Sequence, residues 1–526
     1  MIASLVVKVI GAFFQIPLQN LIGGESSPAF GLFSAAYRIY TAMLVISTVG
    51  LPAALSKMVA EATACGRERE VRRIVRVAAG IFIPVGALAT VVLLCGADTF
   101  AGWIKNPDAE LAVMAIAPSV LMVSILSVFR GYYQGRANMV PTAVSQVIEA
   151  MGKLFVGLGL AWYAVQQGMN EPQTAAMAVL GVTIGEVVAA AYMLVQAAAT
   201  RRRAERVRVL NDAVRPTGQL ARTLLSLSIP ITISSAVMSL TDLIDVALIS
   251  ARLQSPAVGM TAEQATTAYG IYTGNAVNFF NLPQTLITAL AVSVLPTIAS
   301  ARAAQNFTKV SRTLATTLRL TMIITLPAGA GFLLLSGPIL RLFYSEGTEL
   351  GGQLMALLGF AVPAVALVAI TNAVLQAFGR IDLPLISMFL GALVKIFGDY
   401  YLIGIPELNI AGAPISTAVC YWLIALINLF HISRLSHSLP PIGKTVGRPL
   451  AATVGMGAAT YICHTVLLRV TDAAPGAAAD KLVTLVVIAV AVAVYGVLLL
   501  MLHAVDREDM LLLPKGEKIA DILHLK

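Results

Sequence analysis

Apolar runs long enough to cross a bilayer fill this chain from end to end, and they fix its fold class before any motif is read. About 20 apolar residues carry a helix across roughly 30 Å of hydrocarbon at about 1.5 Å per residue. Inside lipid every backbone amide must bond within its own segment, so outside a closed barrel such runs can only be helices. Fourteen occur, over approximately 3–22, 30–56, 77–97, 110–129, 142–165, 174–199, 223–250, 270–298, 319–343, 352–377, 384–404, 412–433, 449–468 and 481–504. Hydrophobic residues make up 58% of the 526 and charged residues 12%, with a mean hydropathy of +0.84, a balance no ordinary soluble domain shows. The expectation is an all-α polytopic membrane protein with about 14 transmembrane helices.

The positive charges orient it. Lys and Arg concentrate in short cytoplasmic loops, and with the N-terminus inside, alternate loops and the C-terminal tail hold 27 of the 36 cations while the opposite loops hold five. Both termini are therefore expected in the cytoplasm. The net charge of +9 then belongs to topology and to anionic headgroups, which makes membrane lipids natural neighbours and leaves no case for nucleic acid. The four cysteines are scattered, which argues against a disulfide framework or a zinc site. The first span lacks a signal-peptide cleavage pattern and is expected to be retained. Gly443, Lys444 and Thr445 mimic the end of a phosphate loop, but Ser438 stands where its first Gly belongs. No water-facing loop offers a catalytic constellation, so no enzyme is expected.

Landmarks repeat at a spacing of 242 to 245 residues: Leu51-Pro52 with Leu295-Pro296, Pro118 with Pro363, Gly135-Arg136 with Gly379-Arg380, Pro141 with Pro384, and Lys153 with Lys395. Internal repeats of this kind are a transporter signature. The offset spans six crossings, so the halves share one orientation, and substrate is expected between them. The chain divides into an N-lobe (1–200, spans 1 to 6), a basic cytoplasmic linker (201–222), a C-lobe (223–434, spans 7 to 12) and an added pair of spans (435–505). For the segment 506–526 two readings stand, an amphipathic helix on the inner leaflet or a solvated tail.

Four cations fall inside apolar spans: Lys8, Arg38, Lys153 and Lys395. A charge at bilayer depth costs roughly 2.5–3.5 kcal/mol, so it faces a bundle interior, a counter-ion or a polar ligand. Arg38 shares a helical stripe with Ser34, Thr41 and Thr48 and has no acid on its own span. It either snorkels outward or lines a cavity; the stripe favours the cavity. Lys8 lies near the cytoplasmic end, where snorkelling is equally open. Lys153 follows Glu149 by four residues and Lys395 precedes Asp399 by four, which suggests intrahelical ion pairs. Span 7 carries Asp242 and Asp245 beyond a row of hydroxyls, and span 8 carries Asn275 and Asn278. Counted formally, intramembrane charge is +1 in the N-lobe and −2 in the C-lobe. That asymmetry suggests an anionic headgroup on the first and a coupling cation, H⁺ or Na⁺, in the second.

Three strings carry a resemblance: GlyLeuProAlaAlaLeuSerLysMetValAlaGlu (50–61), ArgGlyTyrTyrGlnGlyArgAlaAsnMetValProThrAlaValSerGlnValIleGlu (130–149) and AsnLeuProGlnThrLeuIleThrAlaLeuAlaValSerValLeuPro (281–296). They resemble the polysaccharide-exporter branch of the multidrug/oligosaccharidyl-lipid/polysaccharide superfamily, and within it the stage V sporulation protein B group and the MurJ-type lipid II flippases. The resemblance implies a fourteen-helix flippase in a bacterial cell membrane. Such a protein turns an undecaprenyl-diphosphate-linked wall precursor from the inner to the outer leaflet by alternating access, with cell-wall synthesis proteins as partners and spans 13 and 14 beside the polyprenyl tail.

In that family cations on spans 1, 2 and 8 are associated with the diphosphate. Lys8 and Arg38 fit the first two, with Lys153 as a helper, while Asn275 and Asn278 stand where span 8 usually has an arginine. Some members bind sodium among spans 7, 11 and 12, where Asp242 or Asp245, Asp399 and Thr417 resemble the ligands. Lys395 departs from that pattern, since its ammonium could occupy the place of the ion. Two readings of other kinds compete: a cation-coupled multidrug exporter of the same superfamily, which typically has twelve spans, and a non-transporting membrane scaffold.

Overall fold

A computed structural model describes residues 2–23, 27–48, 50–204, 215–380, 382–436, 443–471 and 477–505. The expected tail at 506–526 and positions 205–214 of the linker lie outside these residues. Among the described residues all regular structure is helical, with no strand. Every one of the fourteen apolar runs falls on helix. Among the described residues nine helices are long and apolar enough to cross a membrane, and a bent pair makes a tenth.

The chain packs as two compact units, Met1–Gly274 and Asn275–Lys526. The first contains α1 (Ile2–Ile22), α2 (Ala29–Thr48), α3 (Gly50–Ala64), α4 (Glu68–Cys95), α5 (Ala97–Trp103), α6 (Glu110–Gly135), α7 (Val140–Met151), α8 (Leu158–Gln166), α9 (Glu171–Ala204), α10 (Thr217–Leu253) and α11 (Ala262–Ile271). The apolar run 30–56 falls on α2 and α3, and Pro52 lies on α3.

A π-helical stretch, Gly152–Gly157, joins α7 to α8, and glycines let it lie against α9. A Cβ on Gly152 would meet the Cα of Gly185, and one on Gly181 would meet the Cα of Gly157. Small residues at such crossings allow backbones to approach in the absence of a hydrophobic drive between helices. Helix α6 lies against α2, α3, α4 and α9 and is the most buried of the crossing helices, so it is the post around which this unit is built. Toward one end, Glu70 is fully buried and accepts from Arg67 Nη1 at 2.9 Å and from Arg215, while Arg136 Nη2 bonds Glu68 at 2.5 Å. These contacts fasten the start of α10 to α4, and the end of α6 to the start of α4.

The second unit contains α12 (Asn278–Ala303), α13 (Phe307–Phe343), α14 (Thr348–Gly359), α15 (Ala361–Ala377), α16 (Asp382–Leu402), α17 (Gly412–Ser436), α18 (Arg448–Thr471) and α19 (Ala477–Met501). The α14 and α15 pair bends by 47°, and Pro363 falls in the first turn after the break. Its core runs from Ile287, Val294 and Ile298 through Leu314 and Leu375 to Cys420 and Ile424. One polar knot crosses it: Asn428 Nδ2 donates to Thr371 at 3.0 Å and Asn372 at 2.8 Å, and its carbonyl accepts from Ser387 at 2.6 Å. Helices α18 and α19 pack on each other and on α13, with Met456, Tyr495 and Leu499 between them.

Candidate functional site

The polar stripe of α2 carries one guanidinium. Thr41 bonds back to the Tyr37 carbonyl at 2.5 Å and Ser34 is buried, whereas Arg38 remains 27% exposed beside Asp242, which is 50% exposed. Arg38 Nη1 lies 3.6 Å from Asp242 Oδ2. That is ion-pair range but longer than a hydrogen bond, so the charge is compensated while the donor fork stays open to a better acceptor. Tyr269 on α11, Tyr272 just beyond it and Asp245 on α10 lie within electrostatic reach. The sequence assigned Arg38 to substrate and Asp242 to a coupling ion; the fold brings the two together.

Lys153 is held differently. Its Nζ bonds Glu149 Oε1 at 2.9 Å and stands 5.4 Å from the centre of the Tyr40 ring and 5.7 Å from that of Tyr37. The expected intrahelical pair is present, though it is only half of the arrangement. Arg130, which the loop count places among cytoplasmic cations, lies within α6 and is buried. It donates Nη2 to Glu149 Oε2 at 3.2 Å and Nε to Ser145 at 3.0 Å. The apolar run stops at residue 129 because an arginine follows, but the helix continues to Gly135 and carries that arginine inward. A signal was available: an intramembrane carboxylate has two oxygens with about four acceptor sites, more than one ammonium fills. Tyr40 and Glu186, from α2 and α9, form a further buried pair, the hydroxyl donating to Oε1, which sequence reasoning did not find.

In the second unit Lys395 and Asp399 are both buried, Nζ lying 2.6 Å from Oδ2, and Ser416 donates to the other carboxylate oxygen. Thr417 Oγ1 bonds the Ala413 carbonyl at 2.8 Å. Asn275 is fully buried and donates to the Gly347 carbonyl at 3.1 Å, and Asn278 reaches the Tyr344 hydroxyl at 3.4 Å. Both amides thus meet the connection between α13 and α14. Of the residues suggested as sodium ligands, Asp242 and Asp245 belong to the first unit and Asp399 and Thr417 to the second. The side chain of Lys8 lies outside the described residues.

Long apolar helices, with charges carried inside them as compensated pairs and one arginine left partly open on a polar stripe, define a multi-pass membrane protein of the transporter class. The fold agrees with that of a solved lipid II flippase MurJ in an inward closed conformation, with a TM-score of 0.70 over 94% of this chain and 97% of that one at 15% identity. The family model described as lipid II flippase MurJ matches residues 33–470, and the chain belongs to that family. Among curated relatives it is 26% identical to stage V sporulation protein B of Bacillus subtilis over 97% of this chain and 96% of that protein. It is 25% identical to lipid II flippase MurJ of the same organism over 93% and 91%. This family match favours the flippase reading over the multidrug exporter.

Proposed function

We propose that the protein turns a polyprenyl-diphosphate-linked glycan, lipid II or a close analogue, from the inner to the outer leaflet of a bacterial cell membrane. Both termini face the cytoplasm, and cell-wall synthesis proteins supply the substrate inside and consume it outside. The observation that carries this reading is Arg38. Among the described residues it is the intramembrane cation that stands 3.6 Å from a half-exposed acid, so a diphosphate, a stronger and bidentate acceptor, can displace Asp242. Alternating access then presents the α2 stripe to one leaflet and next to the other, while the apolar faces of α18 and α19 shelter the polyprenyl chain. Binding energy released at Arg38 offsets part of the roughly several kcal/mol needed to desolvate the diphosphate.

We take the ammonium of Lys395, 2.6 Å from Asp399, to stand in for a coupling cation, so the cycle runs without sodium. Two measurements test the reading. Cells depleted of the protein should lose outer-leaflet labelling of lipid II, and an Arg38→Ala protein, present at normal level, should not restore it. Exchanging sodium for potassium should leave restoration by the wild type unchanged, and a loss on sodium removal contradicts the role given to Lys395.

A further inference from the structure

Glu186 is the buried acid for which the anion-capture account has no use. It sits mid-helix in α9 with no exposed surface. One carboxylate oxygen accepts from Tyr40, while Oε2 is buried with no hydrogen-bond partner. No cation lies within ion-pair distance of it among the described residues. Glu149 is its contrast, since both of its oxygens are bonded by cations, Lys153 at 2.9 Å and Arg130 at 3.2 Å. An ionised carboxylate with a single neutral donor is costly at bilayer depth, and a proton on the bare oxygen removes that cost.

Two of the helices packed on α9 also bury hydroxyls with no partner among the described residues, Ser127 on α6 and Thr142 on α7. The groups facing Glu186 come from every element packed on α9: Tyr40 from α2, Arg130 from α6, Glu149 from α7 and Lys153 from the π-helical stretch. Tyr133 of α6 packs one turn further on, against Ala189, Ala190 and Met193. Helix α8 adds only Tyr163, which is exposed. Helix α1 adds only Lys8, whose side chain is outside the described residues.

The geometry points to Glu186 as a reversible proton-binding site whose occupancy switches the charge inside the first unit. With Arg130 and Lys153 positive and Glu149 negative, the cluster carries +1 when Glu186 holds a proton and zero when it does not. The step is simple: a proton from water binds Oε2 as an O–H bond, and the same proton leaves when the site reopens. Tyr40 stands two residues after Arg38 on α2, so the switch is built onto the helix that carries the anion site. A proton at Glu186 and an anion at Arg38 are then linked with the same sign. That linkage rests on the flippase reading; the proton site itself does not.

Infrared difference spectroscopy of the full chain in phosphatidylglycerol vesicles, titrated from acid to alkaline pH, tests the site without any substrate. The expected result is a protonated-carboxyl C=O band that disappears as pH rises and is lost in Glu186→Gln. Tyr40→Phe removes the one donor to the charged form, so the midpoint should move to higher pH; this milder change keeps the test open if Glu186→Gln does not fold. An unchanged titration in both variants, or in Tyr40→Phe alone if only that protein folds, overturns the proposal. The linkage has its own arm: outer-leaflet lipid II accessibility in wild type should depend on pH and in Glu186→Gln should not. A titrating band in a protein that moves no lipid II refutes the flippase reading and leaves the proton site standing.

Discussion

At the scale of single residues, intramembrane charge is unevenly committed. Arg130, Lys153 and Lys395 each hold a carboxylate at 3.2 Å or less, whereas Arg38 stands 3.6 Å from its acid with both partners partly exposed. Tight buried pairs are expensive to break, because removing one partner strands the other, at about 3–5 kcal/mol. Arg130→Ala should therefore lower the unfolding temperature in detergent, while Lys153 still pairs Glu149; Glu149→Leu, which strands both Arg130 and Lys153, should lower it further. A thermal melt series on the two variants checks this. Arg38→Ala should barely move the melting temperature and should remove transport, and Arg38→Lys, which keeps the charge but lacks the planar fork, should fall between.

Lys153, Lys395 and Arg38 were all legible in the sequence, because a cation inside an apolar run stands out. Arg130 was not, since it closes its run and reads as a loop residue. The Tyr40 and Glu186 pair was hidden for another reason: the two lie 146 positions apart, and no periodicity within one helix relates them.

At the scale of elements, the breaks decide the shape. The repeated Pro and Gly landmarks were visible, but their effect differed between positions. Pro363 falls in the first turn of a new helix after a break, while Pro118 lies within an uninterrupted α6. Sequence alone could not separate these cases, because a kinked helix and a broken one share the same residue, and packing against neighbours decides between them. The π-helical stretch of 152–157 is the clearest packing device. Its approach to α9 is set by glycine on both sides, so Gly181→Val should force the two backbones apart, at a cost of about 1–3 kcal/mol or more. A lowered melting temperature, with faster hydrogen exchange in α7 to α9 than in α16 and α17, is the expected outcome. An unchanged exchange pattern would show that the contact is looser than drawn.

At the scale of the whole molecule, fold class and family follow from pattern: run length, the inside-positive charge bias and the quoted strings were enough. The arrangement of partners within each unit was not, because it depends on which face of each helix meets which neighbour. Topology has a direct check, since Cys65 and Cys95 are both exposed free thiols, one just before α4 and the other at its end. With cytoplasmic termini, a membrane-impermeant thiol reagent should label Cys95 in intact cells and reach Cys65 only after permeabilisation; the reverse order would invert the orientation.

The central claim is that one open guanidinium on α2 captures the diphosphate of a lipid-linked glycan and that the protein then turns that lipid over. Its most direct test is the flipping of a fluorescent polyprenyl-diphosphate glycan by the purified full chain in proteoliposomes, with Arg38→Ala as the comparison. The account predicts turnover by the wild-type protein and turnover at the level of protein-free vesicles for Arg38→Ala, with both proteins equally folded. Equal turnover by the two proteins would contradict it.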